Sequence, residues 1–134
     1  DYAKYFDCEF VICDKTREKA NEVKSVEVIG EVKDKDVIIV DDLIDTGGTI
    51  AMASNVIMDK GAKSVRAIIT HPVLSGNAEE NLENSSLIEL VVTDSIPLNI
   101  RNKKIKVLSI AGLFAKAIRK IHENESTSSL FINR

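Results

Sequence analysis

The segment that most constrains the fold is residues 37–50, VIIVDDLIDTGGTI, in which an unbroken β-branched run ends in acids and then in paired glycines. Val37, Ile38, Ile39 and Val40 form a continuous apolar string, the pattern of a strand buried on both faces of a parallel sheet. The run stops at Asp41. From Ile50 to Lys60 the apolar residues Ile50, Ala53, Val56 and Ile57 recur at helical spacing, and Gly61 follows as a C-terminal stop. The unit is therefore strand, loop, helix.

In that unit the loop Asp45-Thr46-Gly47-Gly48-Thr49 lies where the free N–H groups of a helix start converge, and its glycines let an oxygen-rich ligand approach the main chain. Such a corner is an anion site, most naturally for a phosphate. A nucleotide-binding P-loop would need Lys after its last glycine, whereas Thr49 and Ile50 follow here, and the G-x-G-x-x-G spacing of dinucleotide folds is absent. Asp41 and Asp42 would repel a phosphate, so they are expected to face sugar hydroxyls, which donate to ionised carboxylates, with a hydrated Mg²⁺ bridging diol and phosphates. The ligand deduced is a phosphorylated sugar with a free diol. One acid and one glycine would be explained as a turn and a cap, but the whole string is not.

Length and composition suit this picture. A chain of 134 residues with 44% hydrophobic content is expected to form one domain around one core. The net charge of −3 argues against a nucleic-acid partner, because a phosphate-neutralising face makes a domain basic. With neither a membrane-spanning apolar run nor a signal peptide, a soluble cytoplasmic protein without membrane contacts is expected. Cys8 and Cys13 have no His or third Cys nearby to complete a metal site, so reduced, packing cysteines are expected. The opening residues Asp1 to Phe6 carry no initiator Met and look like the tail of a helix, which suggests a fragment or cleaved product.

Along the chain, residues 9–13 suggest a short strand, and the charged segment from Lys15 to Ser25 an exposed helix or a mobile loop over a site. Residues 26–29 suggest a strand. Val65 to Thr70 is a further strand, parallel and adjacent to 37–40 because a whole helix intervenes. A helix over about 77–84, strands at 88–92 and 105–108, and an amphipathic helix over 111–122 with Leu113, Ala117, Ile118 and Ile121 on one stripe complete the pattern. The polar tail ending in Leu130, Phe131 and Ile132 is expected to dock on the body. This alternation gives an open α/β sheet with its ligand at the carboxyl ends of the strands.

VIIVDDLIDTGGTI resembles the phosphoribosyl-pyrophosphate (PRPP) motif shared by type I phosphoribosyltransferases and PRPP synthetases. Three further stretches resemble the synthetases specifically. These are THPVLSG at 70–76, VVTDSIP at 91–97 with Asp94 where Asn is usual, and IRKIHENES at 118–126 running into S-x-S-x-L-F at 126–131. The resemblance covers essentially the whole chain and matches the C-terminal half of that enzyme. It implies an α/β fold with an open, mainly parallel sheet flanked by helices, as in type I phosphoribosyltransferases. It also implies transfer of the pyrophosphoryl group of ATP to the anomeric hydroxyl of ribose 5-phosphate, with Mg²⁺, giving PRPP and AMP.

By the same resemblance, Asp45, Thr46, Gly47, Gly48 and Thr49 hold the 5-phosphate, while Asp41 and Asp42 address the ribose hydroxyls and their Mg²⁺. Lys15 and Arg17 match the K-x-R that begins the family's catalytic loop, Arg17 also reaching ribose 5-phosphate; Glu18, Lys19 and Ala20 follow where the family commonly has prolines and arginines. Ser75, Gly76, Ser126, Ser128 and Phe131 match regions that form subunit interfaces and an effector site. His71 is expected to stabilise a turn rather than act as acid or base. The family's ATP-binding elements and metal ligands belong largely to an N-terminal half that is not in this chain, so the 134 residues alone are expected to be inactive. Self-association, as hexamers, is inherited from the resemblance. The competing expectations are a phosphoribosyltransferase that consumes PRPP and a non-catalytic regulatory relative of the synthetase.

Overall fold

The computed structural model describes residues 2–19 and 22–131. In chain order the elements are α1 (Tyr2–Tyr5), β1 (Ile12–Lys19), β2 (Glu22–Ile29), β3 (Asp36–Ile44), α2 (Gly48–Asp59), β4 (Ser64–Pro72), α3 (Ala78–Glu83), β5 (Leu87–Thr93), β6 (Ile105–Leu108) and α4 (Ala111–His122), followed by a 3₁₀ turn at Ser128–Leu130. Strands β3, β4, β5 and β6 are hydrogen-bonded in that order, every pair parallel, and β1 and β2 form a separate antiparallel ribbon. The fold is α/β, a parallel sheet flanked by helices.

Periodicity explains the core. Ile50, Ala53 and Ile57 of α2 fall on one helical stripe and are buried together with Val65, Ala67 and Ile69 of β4 and Leu90 and Val92 of β5. Ala78 and Leu82 of α3 join the same core. Val26 and Val28 alternate with exposed residues along β2 and bring the ribbon onto this core, where the Lys60 ammonium donates to the Val28 carbonyl at 2.8 Å.

Several sequence-based expectations change. Residues 15–19 are neither helix nor loop but one arm of the ribbon, with Lys15 opposite Val26 and Arg17 opposite Val23. Charge is no obstacle to such an arm, because its backbone bonds come from the paired strand rather than from burial. The ribbon begins at Ile12, so residues 9–11 lie outside it. Strand β3 does not stop at Asp41; it runs through Asp41 and Asp42 to Ile44. Nor is it buried on both faces, since it is an edge strand and Ile38 and Val40 are 56% and 45% exposed.

Helix α4 forms where its spacing places it, yet its stripe of Leu113, Ile118 and Ile121 faces solvent, as does Phe131. The terminal hydrophobes therefore do not all dock, and Ile132 lies outside the described residues, as does Asp1. Cys8 and Cys13 are free, as expected, but exposed rather than packed.

These burial differences predict unequal costs. Leu82→Ala, at a fully buried site, is expected to destabilise the chain by about 2–5 kcal/mol, whereas Ile38→Ala stays within about 0.5 kcal/mol. Chemical denaturation of both variants checks this, and comparable losses would mean that the outer face of β3 is packed.

Candidate functional site

Strand β3 delivers the chain to a bend at Asp45, Thr46 and Gly47, and α2 starts immediately after it. Gly47 is the N-cap of α2 in the left-handed region, φ 74°, a conformation in which a side chain is strained. Among the described residues no side chain caps the helix, and its first turn carries no acid. The first helical hydrogen bond runs from the Ala51 N–H to the Gly47 carbonyl at 2.9 Å. Among the described residues, the main-chain N–H groups of Thr46, Gly47, Gly48, Thr49 and Ile50 therefore have no protein acceptor. A row of unsatisfied donors at the positive end of a helix dipole is complementary to a phosphate-sized anion.

The bend is held from outside by the residues that follow β4. The Val73 and Leu74 N–H groups donate to the Ile44 carbonyl at 3.0 and 3.1 Å, and the Ser75 N–H donates to the Asp45 carbonyl at 3.1 Å. The Ser75 hydroxyl also donates to the Asp45 carboxylate. Asp45 is thus turned toward Ser75 and secures the bend instead of capping α2. Gly76 abuts Thr46, since a Cβ there would lie 3.9 Å from the Thr46 methyl. Ser75 and Gly76, which the resemblance assigns to an interface and effector region, sit beside the glycine corner.

Asp41 and Asp42 lie at the carboxyl-terminal end of β3, both exposed, and the Asp42 N–H donates to Asp41 Oδ1 at 2.9 Å. Asp41 and Thr49 form the polar end of an open cleft of about 240 Å³ whose apolar wall includes Val11, Val26, Val40 and Ile50. Cys13 also lines this cleft, and Lys15 follows it by two residues along β1, about 7 Å at the usual strand rise. The backbone of Lys15 is paired with Val26, which lines the cleft, so the K-x-R segment starts beside it; the side chains of Lys15 and Arg17 lie outside the described residues. Ser126, Ser128 and Phe131 belong to the tail beyond α4 and have no described contact with the corner, their recorded bonds being within the turn, such as Ser126 Oγ to Ser128 Oγ at 2.8 Å.

His71 pairs through Nδ1 with Ser95 Oγ at 2.9 Å, while Ser95 Oγ donates to the Thr70 carbonyl at 3.0 Å. With the hydroxyl proton directed at Thr70, Nδ1–H is the donor to Ser95. The histidine ties the end of β4 to the loop after β5, a turn-stabilising role. Asp94 anchors α4: its carboxylate accepts the Ile110 N–H at 2.9 Å, and hydrogen bonds from the Ser109 hydroxyl and that N–H hold its carboxyl below the usual range.

Sequence reasoning missed Asn81, whose side-chain amide donates to the Thr46 carbonyl at 2.7 Å. Nothing in the spacing from residue 46 to 81 announces that contact; it exists because α3 packs beside the start of α2.

Among the described residues no group of three or more His, Cys, Asp and Glu side chains forms a metal cage. Asp41 and Asp42 nevertheless fit a hydrated Mg²⁺ shared with a substrate, because that ion is commonly held by one or two carboxylates plus waters and phosphate oxygens. No helix among the described residues is long and apolar enough to cross a membrane.

Comparison with known proteins gives consistent results. The model of the family described as the phosphoribosyl synthetase-associated domain matches residues 11–132. The chain is similar to the ribose-phosphate pyrophosphokinase of Campylobacter jejuni, 55% identical over 97% of this chain and 42% of that protein. The enzyme of the same name from Porphyromonas gingivalis is 45% identical over the same shares. The crystal structure of phosphoribosylpyrophosphate synthetase from Mycobacterium smegmatis superposes with a TM-score of 0.79 at 39% identity, covering 91% of this chain and 41% of that one. The chain thus spans about 42% of the length of these curated relatives.

The two glycines of the corner are expected to respond differently to Ala. A Cβ at either one has its nearest neighbours at 3.8 Å, so neither substitution clashes. Gly47→Ala should cost about 1 kcal/mol from its positive φ, whereas Gly48→Ala should be close to neutral. Urea denaturation of the two variants checks the difference, and equal stability of both would contradict the left-handed N-cap.

Proposed function

The chain belongs to the phosphoribosyl synthetase-associated domain family, and from that premise we propose that it is the sugar-phosphate module of a ribose-phosphate pyrophosphokinase. The full enzyme would transfer the pyrophosphoryl group of ATP to the anomeric hydroxyl of ribose 5-phosphate, producing PRPP and AMP. The observation that carries this reading is the uncapped start of α2, whose free N–H groups adjoin the carboxylates at the end of β3. The names of the relatives support the reaction class.

In this mechanism the N–H groups from Thr46 to Ile50 take the 5-phosphate, with the Thr46 and Thr49 hydroxyls available as further donors. Asp41 and Asp42 accept hydrogen bonds from the ribose hydroxyls and orient the ring. Charge on the transferring group is spread over its oxygens, so Lys15 and Arg17 are assigned the task of neutralising it. Asp41 and Asp42 would hold a hydrated Mg²⁺, which would supply Lewis-acid neutralisation of the negative charge on the phosphate oxygens. Holding the sugar fixed is itself catalytic, because it converts the encounter of hydroxyl and phosphorus into a positioned one.

The S-x-S-x-L-F ending at 126–131 supports placing the chain as the C-terminal half of the enzyme, with ATP bound mainly by the remaining part. Ser75, Gly76, Ser126, Ser128 and Phe131 are retained as an effector or interface region, in a cytoplasmic enzyme that self-associates as a hexamer by family resemblance. The intact acids and glycines argue against a non-catalytic scaffold, which has no need of them.

Full-length protein incubated with ATP, Mg²⁺ and ribose 5-phosphate is expected to release AMP and PRPP, whereas the 134-residue chain alone should release neither. Arg17→Ala in the full-length protein should lower kcat on the order of 100-fold. Absence of AMP from the full-length protein, with turnover of PRPP and a nucleobase instead, would replace this function by that of a phosphoribosyltransferase.

A further inference from the structure

We propose that Asn81 is a positioning residue for the phosphate corner, setting the orientation of the Thr46–Gly47 peptide so that its N–H is offered to the ligand. The inference rests on the assignment of that corner to a sugar phosphate. Asn81 lies on α3, a helix fixed in the core by Ala78 and Leu82, both 0% exposed. From there its part-buried side-chain amide donates to the Thr46 carbonyl at 2.7 Å. Only the nitrogen end of the amide can make this bond, because a carbonyl is an acceptor and cannot satisfy another oxygen.

The geometry of the peptide bond turns this contact into a statement about the ligand. A trans peptide is planar, with C=O and N–H on opposite sides. With the Thr46 oxygen drawn toward α3, the Gly47 N–H points away from α3. If that peptide rotated, the carbonyl oxygen would replace the N–H in the corner and oppose an incoming anion. Gly47 makes such a rotation inexpensive, since glycine occupies positive and negative φ with similar ease. A side chain that holds the oxygen is therefore needed to select one orientation. Asn81 lies against both glycines: Cβ atoms built at Gly47 and Gly48 would approach its Cβ and its Nδ2 at 3.8 Å each.

The test uses the full-length protein, with ribose 5-phosphate, inorganic phosphate and ATP as titrants in calorimetry. Asn81→Leu removes the donor without adding a charge beside the anion site, and Asn102→Ala, which deletes the side-chain bonds to Glu83 and to the Lys104 N–H, is the control. Asn81→Leu is expected to weaken ribose 5-phosphate and inorganic phosphate about tenfold while leaving ATP affinity unchanged, and the control should leave all three affinities unchanged. Should the Leu variant fail to fold, Asn81→Ala is expected to give the same selective loss. Unchanged ribose 5-phosphate affinity in a folded variant, or an equal loss for ATP, would overturn the positioning role. Failure of the parent protein to bind ribose 5-phosphate would overturn the site itself and this inference with it.

Discussion

The rest of the site depends on main-chain N–H groups at the start of α2 that have no acceptor among the described residues. Most helices satisfy these donors with a Ser, Thr, Asp or Asn cap. Here the nearest acid, Asp45, is engaged by the Ser75 hydroxyl, and the cap position is occupied by Gly47, which has no side chain. The donors stay in place because the surrounding bonds are directed elsewhere, to carbonyls at Ile44, Asp45 and Thr46. A ligand with several acceptor oxygens can satisfy at once what a single capping side chain could satisfy only in part.

Packing supplies the rigidity this arrangement requires. Helix α2 is pinned to the sheet by Ile50, Ala53 and Ile57, and α3 by Ala78 and Leu82, so both walls of the corner are parts of one core. Asp41 and Asp42 stand at the end of the same strand that leads into the bend, which fixes acids and free donors relative to each other. Asp94 plays a comparable part at α4, where a carboxylate rather than an amide side chain meets the helix N-terminus and gains from its dipole. The apolar surface of Ile38, Val40 and Ile68 on the outer sheet face, and the stripe of α4, form no part of that core.

Much of this was legible in the residues. The switch from a β-branched run to helical spacing located β3 and α2, and the paired glycines located the bend at the start of α2, because those patterns express local backbone preferences. Strands β4, β5 and β6 and helix α4 followed for the same reason. Of the ribbon, residues 26–29 were legible as a strand, but the charged arm at 15–19 was not, because a charged segment has no hydrophobic period and its pairing depends on the partner strand. The two-sided burial of β3 failed because strand composition carries no information about which edge of the sheet it occupies. The tethers from Ser75 and Asn81 also escaped, since both join residues about 30 or more positions apart. The resemblance of 70–76 to the synthetases marked the first of these segments without revealing its contact.

The central claim is that peptide nitrogens at the glycine corner hold the phosphate while Asp41 and Asp42 hold the diol. Calorimetric titration of the full-length protein, unmodified and with Asp41→Asn and Asp42→Asn, with ribose 5-phosphate, 2-deoxyribose 5-phosphate and ribose tests both halves together. Ribose should bind far more weakly than its phosphate in every protein, and loss of the 2-hydroxyl should cost about tenfold in the unmodified protein but little once both acids are replaced. Equal affinity for ribose and ribose 5-phosphate, or a 2-hydroxyl effect that survives the double replacement, would contradict the account.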